Sequence, residues 1–264
     1  MKDSKIEWCT HTTNLWHGCT HAQSIGCDNC YAEVLSHRWG KNVWGNNNPR
    51  LETKTWAKDL IKYQKKALES NDIHSVFVGS MMDIFEKRMP LINHKGEKLE
   101  YDTNDLRVKL FEDIIPITPN LLYLLLTKRP PNINKQIPES WKSNPPKNVI
   151  FGTSPVNQET ADRMIPQILE VNGNIFLSIE PMLDKIILKP EWFKSGKIKQ
   201  IIVGGESGHG KRPFNPDWAR SIMAQCKEFN VPFFMKQWDK IQEIPDDLML
   251  REFPSVILSN NQNK

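Results

Sequence analysis

Six stretches of this chain are apolar almost throughout, at 75–79, 121–126, 148–152, 174–179, 200–203 and 231–235, and each runs directly into polar residues. Continuous apolar runs, as opposed to runs that alternate with polar positions, predict strands buried on both faces of a parallel sheet. Between them, 106–115, 158–171 and 217–229 carry apolar residues at helical spacing, and 55–69 does the same with Trp56, Leu60, Ile61 and Leu68. Pro216 stands where a helix beginning at 217 would need its first residue. Thr127, Thr153, Ile179 and Val203 close successive runs roughly 25 positions apart, the rhythm of βα units. With a first strand somewhere in 7–17, the pattern predicts about seven strands and an α/β fold, a full or partial (β/α) TIM-type barrel of parallel strands. One domain would then occupy 1–240, followed by an extension at 241–264 whose last residues, 259–264, read as a disordered end.

Barrels of this kind place their chemistry where strands meet the following loops. Here those positions hold Ser80 and Asp83, Thr127, Lys128 and Arg129, Ser154, Glu180, the turn Gly204, Gly205 and Glu206, and finally Lys236. A carboxylate closing a buried run is costly unless it is paired or used. Two neighbouring cations at a barrel mouth suit an anion, and paired glycines let a ligand approach the backbone. Each feature has a structural alternative: a helix cap for Ser80 or Asp83, a solvated turn at 127–130, a tight βα turn at 204–208. His209 lies beside that glycine turn.

Of the 264 residues, 39% are hydrophobic and 25% charged, which excludes a disordered tail protein, a collagen-like repeat and a coiled coil. No stretch reaches the roughly 18 apolar residues of a membrane span, and the first residues lack a signal-peptide core, so the expected location is the cytoplasm. A net charge of +4 permits a nucleic-acid partner without requiring one.

The five cysteines change the picture more. An odd number in a chain with no secretion signal argues against a disulfide framework. Cys19, Cys27 and Cys30 form a C-x7-C-x2-C loop within 17–31, flexible in composition and running into a helical pattern at Tyr31. The free N–H groups and dipole of a helix start stabilise thiolates. Zinc with His17 or His21 as fourth ligand, a redox pair at Cys27 and Cys30, and an iron–sulfur cluster all fit such a loop. Cys9 and Cys226 read as buried residues outside it. A catalytic cluster has reason to sit above a barrel mouth, whereas structural zinc favours the periphery.

The chain resembles the radical S-adenosylmethionine (radical SAM) superfamily, and more closely the phage and prophage three-cysteine-motif proteins that are radical SAM-like. The resemblance spans most of the chain. It rests on Trp16-His17-Gly18-Cys19, on the stretch from Gly26 through Cys27, Cys30 and Tyr31 to Glu33, and on Gly79-Ser80-Met81-Met82-Asp83. It continues through Thr127-Lys128-Arg129-Pro130, Ser178-Ile179-Glu180-Pro181, Gly204-Gly205-Glu206, Arg212-Pro213 and Met235-Lys236-Gln237-Trp238. The superfamily spacing is C-x3-C-x2-C, so this loop carries four extra residues, and its Gly-Gly-Glu turn falls late in the chain. The resemblance implies an enzyme in which Cys19, Cys27 and Cys30 hold a [4Fe–4S] cluster that reductively cleaves S-adenosylmethionine, so that a hydrogen is abstracted from substrate. It places Ser80, Asp83, Thr127, Lys128, Ser154, Glu180, Gly204, Gly205, Glu206 and Lys236 around that cofactor. Its implied partners are an electron donor such as a flavodoxin or ferredoxin and a protein encoded nearby. The substrate is open, with phage association and mild basicity leaning towards a nucleobase or nucleic acid. Trp16 and Trp44 with Arg38, Lys41 and Arg50 offer a candidate basic aromatic patch for it. The competing class is a zinc-containing nucleic-acid-binding or adaptor protein without turnover.

Overall fold

The computed structural model describes residues 4–208 and 210–254, so His209 and the tail expected at 259–264 lie outside the described residues. The first strands are β1 (His11–Thr13), β2 (Trp16–His17), β3 (Arg50–Glu52), β4 (His74–Val78), β5 (Pro90–Ile92) and β6 (Lys98–Asp102). They are followed by β7 (Leu121–Thr127), β8 (Val149–Thr153), β9 (Asn174–Ile179), β10 (Ile198–Gly204) and β11 (Phe233–Gln237). Seven of them pair in the order β1-β4-β7-β8-β9-β10-β11, all parallel, as a sheet curled into a half-barrel. The expected barrel is therefore present in its partial form. Every expected apolar run is one of these strands.

The helices are α1 (Tyr31–Arg38), α2 (Trp56–Glu69), α3 (Thr103–Val108), α4 (Ile133–Gln136), α5 (Glu139–Ser143), α6 (Gln158–Leu169) and α7 (Pro216–Glu228). α3 continues as a π-helical turn at Lys109–Ile114. Local chemistry sets where the longer ones start. Asn157 and Thr160 form a reciprocal capping box at α6, and Asn215 Oδ1 accepts from Asp217 N with Pro216 in the first position of α7.

The two faces of the sheet bury different cores. Val76, Val78, Tyr123, Leu125, Ile175, Leu177, Ile201 and Val203 pack outward against the helices. Phe77, Leu122, Leu124, Ile150, Phe176, Ile202 and Phe234 face the hollow side, where Trp8 and Cys9 from the N-terminal segment plug the half-barrel. Fully burying a side chain of this size contributes about 1.5–3 kcal/mol. Gly152 belongs to this packing: a Cβ there would stand 2.3 Å from the Phe176 ring.

Residues 245–254 return along β11, with Met235 N donating to Leu250 O and Glu252 N to Phe233 O, both at 2.9 Å. Leu248 is fully buried, and Arg251 reaches Glu7 Oε1 at 3.1 Å. This part of the expected extension thus covers a sheet edge that would otherwise expose unpaired backbone groups.

A second sheet, ordered β2-β3-β5-β6, adds to the expected architecture. Its strands are two to five residues long and half exposed, too short for any period to register. It matters because β2 leads into the cysteine loop. The expected aromatic patch is corrected by the same region: Trp16, Trp44 and Arg50 are 0%, 5% and 0% exposed, so they form core. Of the tryptophans near the loop, Trp39 stays open at 50%, with Lys41 Nζ 5.4 Å from its ring centroid.

Candidate active site

A cleft of about 1110 Å³, its open mouth included, lies over the C-terminal ends of the parallel strands. Cys19, Cys27 and Cys30 all line it, as do Ser80, Asp83, Thr127, Lys128, Ser154, Glu180, Gly205, Glu206 and Lys236. Of the residues singled out in the sequence as cofactor contacts, Gly204 alone is not in the lining. Cys19 follows β2, Cys27 closes a 3-10 turn at Ile25–Cys27, and Cys30 takes the N-cap position of α1. All three are free thiols, and Cys9 and Cys226 are buried away from them. Among the described residues, no three His, Cys, Asp or Glu side chains group tightly enough to hold a single metal ion. His21 pairs with Glu33 Oε2 at 2.5 Å, and His17 stacks on Trp39 with centroids 6.2 Å apart.

Three arginine–carboxylate pairs fix the cysteine loop. The innermost is Arg50 with Glu86, both completely buried, joined by Nε to Oε2 at 2.9 Å and Nη2 to Oε1 at 2.5 Å. It grips Thr20, whose N–H donates to Glu86 Oε1 at 2.6 Å and whose hydroxyl accepts from Arg50 Nη2 at 2.8 Å. The second pair is Arg129 Nη1 with Asp83 Oδ2 at 2.6 Å; the same guanidinium donates to Thr20 O and lies 3.7 Å from Cys19 Sγ. The third is Arg212 Nη2 with Glu206 Oε1 at 2.5 Å. Arg212 also donates to Ile25 O at 3.0 Å, while Glu206 accepts from Asn29 Nδ2 at 3.0 Å. The Arg50 and Arg212 pairs are bidentate, which holds orientation as well as charge.

This separates the expected site residues into two groups. Asp83 accepts from Thr127 Oγ1, Lys128 N, Phe85 N and Arg129, so its lone pairs are committed to the frame. Glu206 is committed to Arg212 and Asn29, and Glu180 is paired with Lys236. Hydrogen bonds from Arg212 and Asn29 outweigh burial at Glu206 and hold its carboxyl below the usual range. Gly205 is needed for packing: a Cβ would stand 2.0 Å from Trp238 O. Its N–H and carbonyl are both bonded to Gln237. By contrast the ammonium of Lys128 and the hydroxyl of Ser154 make no hydrogen bond or ion pair among the described residues.

Burial pushes the thiols of Cys19 and Cys30 upward, opposed at Cys19 by Arg129 and at Cys30 by neighbouring backbone N–H groups and Lys128. Glu86 and Asp83 add to the rise at Cys19. A metal or other cation taking the place of those protons relieves the penalty.

The family model described as a protein of unknown function (DUF5131) matches residues 3–252. The chain belongs to the DUF5131 family. No curated protein matches it, and no solved structure does. The matched span of this DUF5131 chain covers the half-barrel, the cysteine loop and all three arginine pairs. Sequence patterning misses Glu86 and the framing role of Arg50, because buried charges in short irregular segments carry no period. Their one signal is charge next to strongly apolar neighbours, Ile84-Phe85 before Glu86 and Leu51 after Arg50.

Proposed function

We propose that this DUF5131 chain is a radical SAM-type enzyme whose cysteine loop binds a [4Fe–4S] cluster. The observation that carries the proposal is the presence of three reduced thiols, from one loop, in one cleft at the C-terminal end of a parallel half-barrel. The donor chemistry fits the group: three cysteines supply three irons and leave one iron for a cofactor. Cys19, Cys27 and Cys30 would hold the cluster, and Lys128 and Ser80 are the groups with capacity to meet S-adenosylmethionine. When bound, the cluster supplies one electron for reductive cleavage of that cofactor. The chain's own residues do the rest. The Arg50–Glu86, Arg129–Asp83 and Arg212–Glu206 pairs orient the loop, and Arg129 brings positive charge to the Cys19 sulfur. The N-terminal plug of Trp8 and Cys9 excludes water from below. An electron donor such as a flavodoxin or ferredoxin is required, and no helix among the described residues is long and apolar enough to cross a membrane.

Anaerobic purification, reconstitution and iron and sulfide analysis test the proposal. The expected result is about four irons and four sulfides per chain. Iron should be lost in Cys19→Ala, Cys27→Ala and Cys30→Ala and kept in Cys9→Ala and Cys226→Ala. Stoichiometric zinc with no iron after reconstitution would identify the zinc-binding class instead and overturn the proposal.

A further inference from the structure

The floor of the cleft is the nearly fully buried part of its lining, and the polar side chains there without partners carry donors or hydroxyls. Ser154 and Ser178 are each 1% exposed, and neither hydroxyl has a hydrogen-bond partner among the described residues. They stand side by side: Thr153 pairs with Leu177 across β8 and β9, and each serine is the next residue along. Lys128 holds the same place beside Ser154, following the Thr127–Thr153 pair. The indole Nε1 of Trp8, 2% exposed and part of the cleft lining, also lacks an acceptor. Phe77 packs against Trp8 at 4.6 Å between centroids, and Leu126 and Ile6 complete an apolar wall.

The charge inventory narrows what this floor accepts. Asp83, Glu180 and Glu206 are each paired to a cation, so the cleft presents an amine with no unneutralised carboxylate among these three. An indole N–H only donates, an ammonium only donates, and serine hydroxyls do either. A buried donor without an acceptor is expensive, and a ligand oxygen placed there removes the expense. We infer that the floor formed by Trp8, Phe77, Ser154 and Ser178 is a substrate subsite for a flat, uncharged ring bearing carbonyl oxygens, the chemistry of a pyrimidine-dione such as uracil. The aromatic and aliphatic walls take the ring, the indole N–H takes one carbonyl, and the serines take the ring N–H and the other carbonyl. This goes beyond the cluster proposal and does not depend on it, since none of these groups is a thiol.

The discriminating pair of probes is uridine and cytidine, alike in shape but with a carbonyl replaced by an amine. Binding is measured on the full chain by calorimetry and by the shift of the Trp8 indole proton resonance, assigned with Trp8→Phe. Uridine should move that resonance and bind at least tenfold more tightly than cytidine. Ser178→Ala should weaken uridine about tenfold while leaving the thermal midpoint of unfolding near that of the parent, and Trp8→Phe should weaken it similarly with the midpoint lowered by the packing it gives up. Equal or tighter binding of cytidine, or a Trp8 resonance unmoved by saturating uridine, overturns the inference. A Cys19→Ala/Cys27→Ala/Cys30→Ala triple variant keeps the two questions apart. Uridine binding that survives there upholds the subsite whatever metal the parent holds, and an iron-loaded parent that ignores uridine removes the subsite and leaves the cluster.

Discussion

Glu86→Gln is the substitution whose consequence follows most directly from the fold. Both members of the Arg50–Glu86 pair are 0% exposed, so the guanidinium stays charged and dry when its partner is neutralised. Arg50 retains its bonds to Val43 O, Gly45 O and Asn48 O at 2.8–3.1 Å, but these carry no formal charge. The new amide also sets an N–H₂ donor among donors, because Glu86 now accepts from Arg50 Nε, Arg50 Nη2 and Thr20 N. Relaxation is restricted. Arg107, itself buried, pins the Glu86 backbone through Nη2 to Glu86 O at 2.9 Å. Breaking a buried pair from one side costs about 3–5 kcal/mol. At about 2–4 °C per kcal/mol for a chain of this size, the thermal midpoint should fall by roughly 6–20 °C. Calorimetry at neutral pH measures it, with Arg88→Gln as the control. Arg88 is paired to Asp102 at the surface with its side chain 71% exposed, and such pairs contribute about 0–1 kcal/mol. Raising the salt concentration should leave the Glu86→Gln deficit almost unchanged, since the pair is shielded from counterions. A midpoint within about 2 °C of the parent would refute the claim that this pair frames the cysteine loop.

Thiol labelling of the native, metal-free chain should reach at most the three loop cysteines, with all five labelled after denaturation. Burial pushes the Cys9 thiol up to about 11 and that of Cys226 to about 12, and mass spectrometry showing early modification of either would contradict their placement. Acid stability should depend on Glu206. Its folded value lies below that of the unfolded chain, so its contribution is complete above the ordinary Glu range near ~4.3 and is lost as pH falls through the folded value. Glu206→Gln should therefore be less stable at neutral pH and should lose less on acidification below about pH 4.5, and parallel acid-unfolding curves for variant and parent would count against the Arg212 pairing.

The main sheet is legible in the sequence because its strands are buried on both faces. Leu121–Thr127 is apolar almost without break since one side meets the helices and the other meets Trp8 and its neighbours. Nothing comparable marks the second sheet, where a strand such as Lys98–Asp102 exposes most of its residues and pairs with the three-residue strand Pro90–Ile92, too short to show a period. The candidate site divides in the same way. Position at a strand end is a topological property, so Ser80, Asp83, Thr127, Lys128, Ser154, Glu180, Gly205, Glu206 and Lys236 can be gathered from the order of apolar runs alone, and they do line one cleft. Partnership is not topological. That Asp83 spends its lone pairs on Arg129, Thr127 and two backbone N–H groups, or that Gly205 makes room for the Trp238 carbonyl, depends on contacts between segments far apart in the chain. Ser178 and Trp8 escape a reading of the sequence for the converse reason, since a serine inside an apolar run and a tryptophan near the chain start are ordinary core residues until their polar atoms are found without partners.

Pairing also explains why so many charged residues sit around one small cavity. Asp83, Glu86 and Glu206 would repel the three thiolates of the loop if they were free. Each is neutralised by an arginine that reaches the loop itself: Arg129 at Cys19 and Thr20, Arg50 at Thr20, Arg212 at Ile25. The acidic residues therefore serve the cleft indirectly, by holding planar cations whose remaining N–H groups bind loop carbonyls, a hydroxyl and a sulfur. Lysine could not substitute, because one compact ammonium does not satisfy a carboxylate in two places and still direct donors to a second segment. With the carboxylates neutralised, Lys128 has no ion-pair partner among the described residues and lies close enough to Cys30 to lower the cost of its ionisation. A cavity framed in this way holds the Cys19 and Cys30 thiols protonated until a metal replaces those protons, and it offers hydrogen-bond donors to acceptor oxygen, the two needs that a cluster and a carbonyl-bearing substrate would meet.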